Sequence, residues 1–167
     1  MLEPFRLRVQ KALGARLEEI VTTDDATPMT DRVFRGRVTF GDGDPLPMLS
    51  ILEEPIQDDP DDAPKGGQAA VTIYRLMIQG FVKDDPMNPT DPGHFLMADV
   101  LVKLAEVKAE AEAAERVFAF PDKAPTVTDI DFGPGVVRPP DGEISAQAYF
   151  WLNVSFKLAE KYDAPYA

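Results

Sequence analysis

The chain has one histidine, His94, and no cysteine in 167 residues. A histidine acting as base or metal ligand needs partners, and no second histidine or any thiolate exists to supply them. His94 stands just after Asp91-Pro92 and reads as a polar contact in the first turn of a helix. Ser50, Ser145 and Ser155 could each formally join a Ser-His-Asp arrangement. None lies in a nucleophile-elbow context, and the two later serines belong to the regular alternation of a strand. Disulfide stapling, thiolate chemistry and cysteine-based zinc sites are excluded outright.

Carboxylates are the remaining reactive stock. Asp58, Asp59, Asp61 and Asp62 have the hardness that calcium prefers. Pro60 interrupts them and no downstream carboxylate stands at calcium-loop spacing, so they read as a solvated acidic loop. Asp42 and Asp44 lack further ligands, and Asp129 and Asp131 alternate on a strand that faces them to solvent. Gly41-Asp42-Gly43 lacks the third glycine of a dinucleotide fingerprint and the lysine of a phosphate loop. No cofactor or metal is expected. Arg35 and Arg37 flank Gly36 and share a face if the strand is continuous. They suit an acidic partner or a neighbouring subunit's carboxylate; an ordinary charged edge-strand face is the other reading.

The elements that must position these groups follow from apolar spacing. Phe5, Val9, Leu13, Leu17 and Ile20 mark a helix over 4–20. Residues 33–40 and 47–53 read as strands joined through Gly41-Asp42-Gly43-Asp44-Pro45, a hairpin-like pair. The acidic, Pro- and Gly-rich stretch 57–67 is expected to be mobile in an isolated subunit. Residues 68–83 form a long strand with Val71, Ile73, Met77 and Phe81 on one face and Tyr74, Leu76, Ile78 and Val82 on the other, which predicts a central strand covered on both sides. Asp91 caps a second helix running to about 116, with Phe95, Ala98, Leu101, Leu104, Ala105 and Ala109 as its packing stripe and a solvated last turn. A strand over 126–132 ends in a Gly133-Pro134-Gly135 turn or bulge.

The final element is the longest. From Ile144 every second residue is apolar, through Ala146, Ala148, Phe150, Leu152, Val154 and Phe156 to Leu158. Such a strand would span roughly 50 Å, against a radius of gyration near 15 Å for a domain of this length. It must cross the domain, bend, or overhang and pair elsewhere, which suits an assembly module. Tyr149 and Trp151 lie on its wetter face, where they serve the core or an interface. The tail from Glu160 is expected on the surface. The fold class is α+β: a single domain over 1–167, with a mainly antiparallel sheet, a long C-terminal strand and two main helices packed on one face.

Composition narrows function further. Apolar residues make up 44% and charged residues 28%, ordinary for a globular domain. The net charge of −12 disfavours sequence-independent binding of nucleic acid, but not a surface that DNA merely passes. No apolar run approaches the ~18 residues of a membrane span. Residues 1–20 lack the apolar core of a secretory signal, so a cytosolic setting is expected.

Two stretches together resemble a known family. One is Val33-Phe34-Arg35-Gly36-Arg37-Val38-Thr39-Phe40-Gly41, continuing through Asp44-Pro45-Leu46-Pro47-Met48-Leu49-Ser50-Ile51-Leu52-Glu53. The other is Tyr74-Arg75-Leu76-Met77-Ile78-Gln79-Gly80-Phe81-Val82, with Asp91, Pro92 and His94 after it. With the N-terminal helix and long last strand they resemble the tail terminator (tail completion) proteins of tailed bacteriophages. The resemblance implies a non-enzymatic virion protein, assembled in the host cytoplasm and sited at the head-proximal end of the tail. It implies a hexameric ring that caps the tail tube, stops its growth and docks the neck or head-completion protein while DNA passes through the lumen. The family carries no catalytic residues. Ring contacts fall on sheet edges and loops, placed here at Arg35, Arg37, the 57–67 loop with Asp58, Asp59, Asp61 and Asp62, and the 83–90 loop with Lys83, Asp84 and Asp85. A head-tail connector or neck protein is the neighbouring alternative; a small hydrolase or ligand-binding domain using clustered carboxylates is the distant one.

Overall fold

A computed structural model of the chain describes residues 3–41, 43–55, 70–120, 126–161 and 163–166. Helices α1 (Phe5–Glu18) and α2 (Asp91–Ala114) pack on one face of a five-stranded sheet. The strands are β1 (Val33–Arg35), β2 (Met48–Glu53), β3 (Ala70–Phe81), β4 (Thr126–Arg138) and β5 (Tyr149–Glu160), in the spatial order β1-β2-β3-β5-β4. All pairs are antiparallel except β1 with β2. This is the expected α+β architecture.

The apolar stripe of α1 behaves as its spacing requires: Phe5, Val9, Leu13, Leu17 and the following Ile20 are all buried against the sheet. Helix α2 is capped one residue earlier than expected, by Thr90, which leaves Asp91 and Pro92 in its first turn. It ends at Glu115 in the left-handed conformation. Of its expected packing stripe only Leu104 is buried, with Leu101 partly buried against the core. The buried residues are Gly93, Leu96, Val100, Leu104, Val107 and Ala111, whereas Phe95, Ala98, Ala105 and Ala109 are exposed. Both sets repeat at helical spacing, and the set with the branched residues won the core.

The strand pair also departs from expectation. β1 stops after Arg35 because Gly36 takes a left-handed φ of +67°. Residues 36–47 then cross over and return β2 parallel to β1, with Val33 opposite Leu49 and Arg35 opposite Ile51. The Ser50 hydroxyl donates to the Arg37 carbonyl at 2.6 Å, fastening this crossover on the side away from the helices.

β5 begins at Tyr149, not at Ile144. The Asp141 carboxylate accepts the N–H groups of Glu143, Ile144 and Ser145, and this turn consumes the start of the apolar alternation. Within the strand Phe150, Leu152, Val154, Phe156 and Leu158 are buried as the alternation demands. β4 continues through Gly133-Pro134-Gly135 as a bulge, with register shifts there and after Val127.

β3 occupies the centre of the sheet, and among the described residues its second face is covered at one end only. There Met48, Phe81 and Tyr149 form a separate cluster with Phe34, Phe40, Leu46 and Trp151. Tyr149 and Trp151 thus belong to this satellite cluster and not to the core beneath the helices.

Candidate functional site

The most distinctive surface is the sheet face opposite the helices. Antiparallel partners share a face, so the register defines its rows: Ile73, Lys157 and Asp129 in one, then Arg75, Ser155 and Asp131, then Met77 with Asn153. Among the described residues the 36–47 crossover and the 141–147 turn, where Asp141 accepts the Tyr149 hydroxyl at 2.6 Å, cover one end of this face, and Lys108 of α2 reaches Asp131 at its β4 edge. Val71 is 65% exposed and Val136 46%, while Ile73 and Met77 are half-buried. Val71, Ile73 and Met77 are among the apolar residues whose presence on both sides of β3 predicted two-sided coverage. A further opening lies at the edge of β3. Its pairing with β2 runs only from Leu76 to Phe81, and among the described residues no strand pairs with Ala70–Tyr74 on that side. The opposite sheet edge, β4, is interrupted by two irregularities and Pro134, devices that discourage strand addition.

Behind the open half of β3 a polar network holds the strands straight. Arg6 on α1 donates to Glu160 from Nη2 at 2.6 Å and from Nε at 3.2 Å. The Thr72 hydroxyl donates to the same carboxylate at 2.7 Å. The Tyr74 hydroxyl donates to Glu53 at 2.6 Å and accepts Gln10 Nε2 at 2.6 Å, while the Arg6 guanidinium lies over its ring at 4.9 Å. Burial, then the Glu53 carboxylate, pushes the Tyr74 hydroxyl well above its usual range, so it stays a donor. Glu160, expected on the surface, is therefore buried at the end of β5. Sequence reasoning missed this network, whose partners stand far apart in the chain.

The expected contact residues scatter. Arg35 and Arg37 do not share a face, because the left-handed turn at Gly36 breaks the alternation between them. Arg35 is exposed and lies on the α1 side, its guanidinium near Gly14. Arg37 lies over the rings of Phe34 and Phe40 and pairs with Asp44 at 2.5 Å. The Gly41 N–H and then Arg37 hold the Asp44 carboxyl below its usual range. Lys83 is exposed, Asp84 accepts the Ala148 N–H at 2.5 Å, and Asp85 accepts the N–H groups of Met87 and Asn88. Asp58, Asp59, Asp61 and Asp62, with the mobility expected of 57–67, lie outside the described residues, as does Asp42. Asp129, half-buried, and exposed Asp131 both lie on the sheet face away from the helices, and Asp131 pairs with Lys108 at 2.6 Å. His94 is exposed on the first turn of α2, as expected.

Two clefts flank the loop end of the sheet. One of about 320 Å³ is bounded by Asp24, Asp25, Lys83, Asp84 and Asp85 with Pro47 and Leu96. Its carboxylates are largely spent on internal contacts: Asp25 accepts Thr22 Oγ1 and the Thr27 N–H, and Asp84 and Asp85 bind backbone as above. The other, about 310 Å³, has an aromatic floor of Phe40 and Phe81. Among the described residues no group of three or more His, Asp or Glu side chains could hold a metal ion. Among them, too, no helix is long and apolar enough to cross a membrane. No family model matches the chain, and no curated protein sequence matches it.

Proposed function

We propose that this chain is a structural virion protein, a tail terminator whose copies close into a ring on the end of a phage tail tube. The ring stops tube growth and offers the docking surface for the neck or head-completion protein, and DNA passes through its lumen without specific binding. The observation that carries this reading is the unfinished sheet. Among the described residues the ribbon of β3, β5 and β4 leaves Val71 and Val136 exposed on one face, and no strand pairs with Ala70–Tyr74 on the β2 side. Large apolar exposure and open edges mark surfaces that bind other chains. The resemblance of the 33–53 and 74–82 stretches names the kind of assembly. The net charge of −12 suits a ring through which a polyanion must slide.

The test is tube polymerisation in the presence of the purified chain. Tubes capped at one end, visible by negative-stain microscopy and shortened in proportion to the amount added, support the proposal. Binding at the portal side of heads with no effect on tubes points instead to a connector. Tubes of unchanged length, with no density at either end, contradict it.

A further inference from the structure

Helix α2 carries two apolar stripes. The first is buried against the sheet. The second, Phe95, Ala98, Val102, Ala105 and Ala109, recurs at steps of three and four and lies roughly half a turn away, so it points directly out of the domain. Phe95 is 49% exposed and Val102 61%. On the far side of the same domain lies the half of the sheet face that no described residue covers, with Val71, Ile73 and Met77. The described residues thus leave one helix face and one sheet face without a partner, on opposite sides.

We infer that these two faces meet between copies: the outward stripe of α2, centred on Val102, Ala105 and Ala109, lies on the open sheet face of the next copy. This rests on the reading of the chain as a self-assembling subunit and names the contact that would build the ring. Dimensions agree. The open patch from Val71 to Met77 is ~20 Å long, and the stretch of α2 from Val102 to Ala113 is ~17 Å. The alanines let a helix lie close on a sheet. Charge selects the occupant. α2 carries Asp91, Asp99, Glu106, Glu110 and Glu112 against Lys103 and Lys108, so pairing two copies of α2 would oppose like charges. The open rows of the sheet face carry Arg75 and Lys157 against Asp129 and Asp131, the last already paired with Lys108 of its own chain, and are less acidic than α2. The contact joins different patches on the two copies, and such head-to-tail contacts close into rings when the rotation permits. Each sheet would then be covered on both faces, as the residues of β3 require.

The absence of native cysteine makes cross-linking decisive. A full-length Ala105→Cys chain mixed with an Asn153→Cys chain should form a disulfide-linked pair under oxidising conditions, and neither alone should. As a second arm, Val102→Arg and Val71→Glu, both at exposed positions, should each lower the assembled mass to that of a monomer by light scattering. Their equimolar mixture should recover a dimer, because each supplies the face that the other lost. Cross-linking of Ala105→Cys to itself, or a mixture that stays monomeric, overturns the contact. A wild-type ring that forms without the mixed cross-link overturns this contact alone. A wild-type chain that remains monomeric at every concentration, and on tubes, overturns the ring reading with it.

Discussion

Substituting Gly80 by alanine tests the packing of the sheet at its most crowded point. Gly80 on β3 faces Phe150 on β5, and a Cβ at Gly80 would stand 2.1, 2.5 and 2.8 Å from three atoms of the Phe150 ring. Phe150 is fully buried, so the ring cannot swing into solvent. Overpacking of this kind costs roughly 1–3 kcal/mol. For a chain of this size that lowers the melting temperature by about 3–10 °C. Thermal and urea unfolding followed by circular dichroism would measure it. Phe150→Leu alone should cost about 1–2 kcal/mol, but in the Gly80→Ala background it should relieve the clash. The double variant should therefore be more stable than the sum of the singles by about 1 kcal/mol or more. A Gly80→Ala chain as stable as wild type, or strictly additive single effects, would refute this packing of the sheet.

Three further expectations follow from the polar groups. Glu160→Gln removes the charge that receives Arg6 and Thr72 where the carboxylate side chain is only 8% exposed, and should lower the stability in urea by about 2 kcal/mol. Asp141 is held at about 2 by the Tyr149 hydroxyl first and by backbone N–H groups of its turn. Its folded pKa lies below the unfolded value, so its contribution is full above about pH 4 and is lost as pH falls through about 2. Asp141→Asn should flatten the stability profile in that window, and an NMR titration placing this carboxyl near 4 would reject the assignment. Arg35→Glu changes an exposed side chain and should leave unfolding unchanged while weakening self-association in light scattering; unchanged assembly would remove Arg35 from the interface. Arg37→Glu is the poorer probe, because it also breaks the pair with Asp44 and the contacts with Phe34 and Phe40.

What the sequence disclosed depended on whether one stripe or two were available. α1 has a single apolar face, and Phe5, Val9, Leu13 and Leu17 identified its buried side without ambiguity. The period-2 alternation likewise fixed the buried face of β5, and erred only where Asp141 folded its first residues into a turn. In α2 two sets of apolar residues repeat at helical spacing, and the expected stripe drew mostly on the set that turned out to face solvent. The direction of β2 was set by a left-handed glycine and a crossover, features of backbone path that leave little trace in side-chain pattern. The network of Arg6, Thr72 and Glu160 joins α1, β3 and β5, so only the fold brings it together. At the proposed contact face, the apolar residues on both sides of β3 already asked for a second cover, and the described residues supply one for only half of the strand.

The most direct test of the account is the mass and shape of the assembled protein. Native mass spectrometry paired with negative-stain imaging of the full chain should show a closed ring of identical copies with an open centre, formed as concentration rises or on tube ends. A monomer at all concentrations that never joins a tube would contradict the central claim.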